Sequence, residues 1–158
     1  MQTISTCLWF DFNAEEAVAF YLGIFRNSRV RRTLYYGDET PAHTGKVLLI
    51  QFELAGQEFE ALNGGPQFPF SEAVSLVVKC DSQEEVDDYW QQLVAGGGHP
   101  VQCGWLKDRF GFNWQIVPRE LAGLLADRDR ARASRVMQAM LKMIKIDITE
   151  LRAAATRQ

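Results

Sequence analysis

The chain has 158 residues, 47% of them hydrophobic and 23% charged, with a net charge of −3. That is material for one ordinary domain or two small fused repeats. The acidic balance argues against nucleic acid, whose phosphates need clustered positive charge, and no stretch approaches the ~20 apolar residues of a membrane span.

Residues 4–12 alternate, with Ile4, Thr6, Leu8, Phe10 and Phe12 on one side and Ser5, Cys7, Trp9 and Asp11 on the other. Large apolar groups on both sides predict a strand covered on both faces. Asn13 is placed to cap a helix, and Glu16, three residues on, to complete a capping box. Ala17, Phe20, Tyr21, Ile24 and Phe25 then follow helical spacing. Residues 30–36 read as a strand, and Arg29, Arg31 and Arg32 at its start form a small basic cluster read as an exposed strand face. A polar loop spans 37–45, and residues 46–54 and 57–63 form strands joined by a tight Ala55-Gly56 reversal. Gly64-Gly65-Pro66 ends this first unit, which reads β-α-β-β-β.

A second unit begins at Ala73. Its strand runs over 73–80, and Ser82 with Glu85 caps a helix marked by Val86, Tyr89, Trp90 and Leu93. Gly96-Gly97-Gly98 stops that helix. Residues 99–105 are expected to form a strand, followed by a short one and a last one at 113–117 after the Phe110-Gly111 turn. The order is again β-α-β-β-β. Asn13-Ala14-Glu15-Glu16 and Ser82-Gln83-Glu84-Glu85 lie 69 residues apart, as do Phe20-Tyr21 and Tyr89-Trp90, so the chain reads as a duplicated module. In the tail, 118–126 and 129–143 are expected to be helical. Ile144, Ile146 and Ile148 alternate like a short strand, and 150–155 closes as a helix. Met137, Met140 and their apolar neighbours read as packing.

The three cysteines, Cys7, Cys80 and Cys103, lack CxxC spacing and are expected as reduced thiols in a cytoplasmic, soluble protein; residues 1–6 show no leader pattern.

Two βαβββ units resemble the vicinal oxygen chelate superfamily of glyoxalase, bleomycin-resistance and extradiol dioxygenase proteins. Ala14-Glu15-Glu16-Ala17 with Phe20-Tyr21, Leu62-Asn63-Gly64-Gly65-Pro66, and Gly104-Trp105-Leu106-Lys107-Asp108-Arg109-Phe110-Gly111 resemble its PhnB-like branch. So do Ser75-Leu76, Trp114-Gln115-Ile116-Val117-Pro118 and the tail from Val136 to Ile148. That branch is often labelled 3-demethylubiquinone-9 3-methyltransferase. The resemblance implies an α+β fold of duplicated βαβββ units forming open half-barrels, residues 1–66 and 73–118, with a helical C-terminal tail at 119–158. It also implies a homodimer, since the superfamily often completes its barrels between chains and the apolar tail needs a place to pack.

The resemblance places metal-ligand positions on the inner strands, where this chain has Thr6, Glu60, Ser75 and Gln115. By the 69-residue offset, Thr6 and Ser75 are repeat mates. Hydroxyls stay protonated and ligate poorly, and one carboxylate with one amide is too few for a tight transition-metal site. His43 and His99 match no ligand position. The expectation is therefore a pocket without metal or cofactor. The Gly-rich turn that S-adenosylmethionine binding usually needs after a first strand is also missing, because that strand ends in Phe12-Asn13.

The candidate ligand-binding residues are Thr6, Glu60, Asn63, Ser75, Trp105 and Gln115. Trp9, Phe52, Trp105 and Trp114 could build an aromatic wall. Asn63 either orients a ligand or satisfies the turn backbone. Asp108 matches an Asp-Pro-x-Gly turn of the superfamily, with Arg109 in the proline position, and is expected to form that turn. Three functions remain open: metal-free binding of a small aromatic or amphipathic molecule, an enzyme, and a dimeric scaffold without ligand. The enzyme would be metal-assisted through Glu60 and Gln115 or methyl-transferring.

Overall fold

The computed structural model describes residues 3–156. The chain divides into two compact units, the first ending at Phe70 and the second starting at Ser71. The first contains β1 (Thr6–Phe10), α1 (Ala14–Ile24), β2 (Arg29–Tyr35), β3 (Val47–Leu54) and β4 (Gln57–Asn63). Its sheet has the order β1-β4-β3-β2, with β1 parallel to β4 and the other neighbours antiparallel. Alternation buries Leu8, Phe10, Ile50, Phe52, Leu54, Phe59 and Ala61. Helix α1 lies across β3 and β4 and buries Ala14, Ala17, Val18 and Tyr21. The β3–β4 hairpin closes as expected on Ala55 and Gly56, whose φ values of 49° and 81° are both left-handed.

The start of α1 departs from the expected cap. The Asn13 side chain makes no capping hydrogen bond. Instead Asn63, at the end of β4, accepts the Ala14 N–H on Oδ1 at 3.0 Å. A partner distant in sequence has taken the place of the local one.

The second unit repeats the plan with β5 (Leu76–Cys80), α2 (Gln83–Val94), β6 (His99–Pro100), β7 (Trp105–Lys107) and β8 (Asn113–Pro118). Its sheet order is β5-β8-β7-β6, and β5 is parallel to β8. At the start of α2 the Glu85 N–H donates to Ser82 Oγ, and Glu85 reaches back to accept the Asp81 N–H. The strand expected over 99–105 is cut to two residues. Cys103 and Gly104 turn the chain at left-handed φ values of 56° and 83°, and their N–H groups donate to the Met143 and Ile144 carbonyls. The tail thus competes successfully for backbone groups that a longer β6 would have used.

The tail forms α3 (Glu120–Leu125), α4 (Arg130–Met140) and α5 (Ile148–Thr156). Asp129 caps α4 by accepting the Ala131 and Arg132 N–H groups. The Ile144, Ile146, Ile148 alternation does not make a strand. Ile146 is fully buried, Ile144 is exposed, and Ile148 already begins α5. Gln83 bridges this passage, donating to the Ile146 carbonyl and accepting the Ile148 N–H. Leu121, Val136, Met143, Ile146, Leu151 and Ala155 form one core. The tail packs this core within the second unit and leaves Met137, Leu141 and Ile144 exposed.

Candidate functional site

Strand register decides which candidates share a face. In the first unit Glu60 pairs with Cys7 on one side and Gln51 on the other. Gln51 Nε2 donates to Glu60 Oε1 at 3.0 Å. A cavity of about 150 Å³ on this face is lined in part by Ser5, Arg31, Gln51, Glu58 and Glu60. Thr6 pairs with the buried Phe59 and therefore points to the opposite face. Thr6 and Glu60, expected together, are separated by the sheet. The neighbouring polar residue on the Glu60 face is Ser5.

The reason lies in one extra residue. Cys7 opposes Glu60 and Val77 opposes Gln115, so equivalent strand residues lie 70 apart. The first helical residues, Ala14 and Gln83, lie 69 apart, because three residues join β1 to α1 but only two join β5 to α2. Ser5, not Thr6, is the strand equivalent of Ser75.

Cys7 reports on this geometry. Burial first, and then the Glu60 carboxylate, push its thiol above the usual cysteine range. Since the thiolate is the reactive form, Glu60→Gln is expected to speed alkylation of Cys7 by iodoacetamide at pH 8. An unchanged rate, followed by peptide mass spectrometry, would contradict the placement of Glu60 beside Cys7. Cys80 is the internal control: it is buried, its thiol is pushed up to about 12 chiefly by burial, and it is expected to stay unmodified while the protein is folded.

In the second unit the expected residues do meet. Gln115 pairs with Trp105 across β7–β8, and its Nε2 donates to Ser75 Oγ at 2.9 Å. Trp105 and Lys107 share the half-buried side of β7, while Leu106 between them is fully buried. Lys107 is held by an ion pair with Glu72. Beside it, Asn113 Nδ2 donates to the Ser71 carbonyl at 2.8 Å. The face therefore offers an indole surface, an amide and a hydroxyl, next to the Lys107–Glu72 ion pair. The Gln115 carbonyl oxygen and the Ser75 hydroxyl hydrogen can still receive a polar ligand group.

Asn63 has a structural task. Besides capping α1, its Nδ2 donates to Glu15 Oε2 at 2.7 Å and to the Val47 carbonyl at 3.0 Å, and the residue is 2% exposed. All of its amide chemistry is spent inside the first unit, which removes it from the ligand-binding set. Phe52 and Trp114 also leave the aromatic wall, since both are core residues. Trp9 packs over Gly64, and its indole N–H donates to the Gly65 carbonyl. Of the four aromatic candidates, Trp105 is the one beside the Gln115 amide. Asp108 is the turn former expected, with both carboxylate oxygens occupied by N–H donors. His43 stacks on Phe12, ring centroids 4.5 Å apart, and His99 opens the exposed β6.

The ligand positions that the superfamily uses for a metal hold no donor set that fits one. Glu60 is the one carboxylate among them, Thr6 faces away from it, and Ser75 and Gln115 are bonded to each other. Among the described residues, no group of three His, Cys, Asp or Glu side chains could share a metal ion.

Comparison with known proteins places the fold. A PhnB protein from Bacillus cereus is 32% identical, with 74% of this chain and 99% of that chain covered and a TM-score of 0.67. A Pseudomonas aeruginosa protein, PA1353, is 20% identical over 75% of this chain and 98% of that one, with a TM-score of 0.61. The fosfomycin resistance protein FosX of Listeria monocytogenes is 17% identical over 80% and 98%, with a TM-score of 0.57. These likenesses fit the α+β glyoxalase-like fold of duplicated βαβββ units. No curated protein matches the chain. The 3-demethylubiquinone-9 3-methyltransferase family model matches residues 2–117, so the tail beyond them, counted in the resemblance above, lies outside the match. With most of its length matched, the chain belongs to the 3-demethylubiquinone-9 3-methyltransferase family.

Proposed function

We propose that the protein binds a small aromatic or amphipathic molecule, without a metal, on the open sheet face of its second unit. The observation that carries this reading is the juxtaposition of Trp105, Gln115 and Ser75. An indole wall beside a hydrogen-bonding amide and hydroxyl suits a ligand with an apolar body and one polar edge. Methyl transfer from S-adenosylmethionine has no support in the residues joining β1 to α1, Asp11-Phe12-Asn13, which include no glycine.

The test is a thermal-shift and calorimetric screen of quinones, phenols, aromatic carboxylates and S-adenosylmethionine. Trp105→Ala and Gln115→Ala are each expected to weaken the responding ligand about tenfold. A saturable response to S-adenosylmethionine, insensitive to both variants, would favour the methyltransferase reading instead.

The same reading takes the protein to be a homodimer. Strand β2 is an edge strand whose Val30, Leu34 and Tyr35 are exposed, a surface that sheets usually protect. Sedimentation is expected to give twice the 18.0 kDa chain mass, and an 18.0 kDa species at micromolar concentration would contradict it. Cys7, Cys80 and Cys103 are all free thiols, which supports the reducing cytoplasm as its compartment. No helix among the described residues is long and apolar enough to cross a membrane.

A further inference from the structure

A further cavity lies away from the strands of both units. It has a volume of about 560 Å³ and lies in the tail, where residues of α4, α5 and the segment joining them line it. Its apolar lining is made of small or flexible side chains, Ala139, Met143, Ala153 and Ala154. Three alanines where larger residues would pack α4 against α5 leave the space open. The volume lies within the range of small-molecule sites, about 300–1,000 Å³.

The polar lining is asymmetric in what it has left to offer. Lys145 is engaged by Asp87, and the Asp147 carboxylate accepts the Glu150 N–H at the start of α5. Arg135 donates Nε to the Ala154 carbonyl at 3.2 Å, which fixes its guanidinium at the cavity. That contact uses one of five N–H donors, and the two terminal nitrogens keep the fork geometry that matches a carboxylate. Lys142 lines the same cavity and makes no ion pair among the described residues. Asp147, whose carboxylate keeps its charge while accepting the Glu150 N–H, and Glu150 are the opposing charges of the lining.

We propose that this cavity is a second ligand site, taking a small carboxylate with an apolar body. Arg135 and Lys142 hold the carboxylate, and the alanines and Met143 receive the apolar chain. The site belongs to the part of the chain beyond the family match at residues 2–117, so it is independent of the sheet-face reading.

Isothermal calorimetry with sodium octanoate on the full chain tests it, with octylamine as the control of opposite charge. Saturable binding of one octanoate is expected, with octylamine giving none. Arg135→Gln and Lys142→Ala should each weaken octanoate about tenfold, and Glu150→Gln should tighten it. Arg135→Lys, which keeps the charge but loses the fork, should fall between wild type and Arg135→Gln. Lys142 is exposed, so Lys142→Ala keeps the test valid if the Arg135 variants fold poorly. Equal binding of octylamine, or octanoate affinity unchanged by Lys142→Ala and Glu150→Gln, would overturn the proposal. So would a finding that octanoate binds only when Trp105 and Gln115 are intact, which would assign it to the sheet face.

Discussion

Replacing Asp108 by alanine is expected to destabilise the protein by about 3–5 kcal/mol, because two buried N–H groups and one part-buried N–H lose their acceptor at about 1–3 kcal/mol each, with partial relaxation. Asp108 is 2% exposed. Its Oδ1 accepts the Phe110 and Phe112 N–H groups at 2.9 and 3.0 Å, and its Oδ2 accepts the Trp114 indole N–H at 2.8 Å. The first two bonds shape the turn at Gly111, whose φ is 81°, and the third ties that turn to the core of β8. Asp108→Asn separates acceptor chemistry from shape. An amide keeps the volume and one acceptor oxygen, but its NH₂ must face either the indole N–H or the two backbone N–H groups. A loss of about 2–3 kcal/mol is expected for this donor–donor conflict. Urea unfolding followed by tryptophan fluorescence measures both variants. An Asp108→Asn protein as stable as wild type would refute the assigned hydrogen-bond pattern.

Asn63→Ala carries the second large effect. It removes the acceptor for the Ala14 N–H and the donor to the Val47 carbonyl, both inside the first unit. Losing a helix cap costs about 1 kcal/mol, and the part-buried Val47 carbonyl that loses this donor adds about 1–3. A total near 2–4 kcal/mol is expected by denaturant unfolding. Asn63→Asp makes a sharper test. It retains an acceptor for Ala14 but sets a carboxylate against Glu15 and the Val47 carbonyl. That environment raises the new carboxyl's folded pKa above its unfolded value. Stability is then greatest below the unfolded value, near about 4, and is lost as pH rises through the folded value. The penalty of Asn63→Asp relative to wild type should therefore grow between acid and neutral pH. A penalty independent of pH would show that the Glu15 contact is not made in solution.

These two residues mark where sequence reasoning succeeded and where it stopped. Asp108 was legible through the resemblance of Asp108-Arg109-Phe110-Gly111 to a superfamily turn, and its partners lie within six residues. Ser82 with Glu85 was legible because the cap is local. Asn63 was half legible. Its place before Gly64-Gly65 marked it, but its partners Ala14, Glu15 and Val47 come from other elements. The Ile144, Ile146, Ile148 alternation misled because burial of Ile146 and the start of α5 at Ile148 produce the same two-residue spacing as a strand.

The candidate site shows the same division. Ser75, Trp105 and Gln115 come to lie side by side because β5, β7 and β8 keep their register through Leu76↔Trp114 and Trp105↔Gln115. Thr6 was assigned to the wrong face because an offset set by helices was applied to strands. A single extra residue before α1 inverts the facing of a whole strand, since side chains alternate with a period of two. The duplication is therefore real in its strand order but not in a single constant offset.

The proposed ligand face works without metal, through Trp105, Gln115 and Ser75. The most direct measurement is a ¹H–¹⁵N NMR titration of chelator-treated protein with the aromatic ligand that responds best in the thermal screen. Saturable shifts are predicted at the Trp105 indole N–H and the Gln115 side-chain NH₂, with the same affinity after a divalent metal is added. Binding that appears only when metal is restored, or shifts that leave Trp105 and Gln115 unmoved, would contradict it.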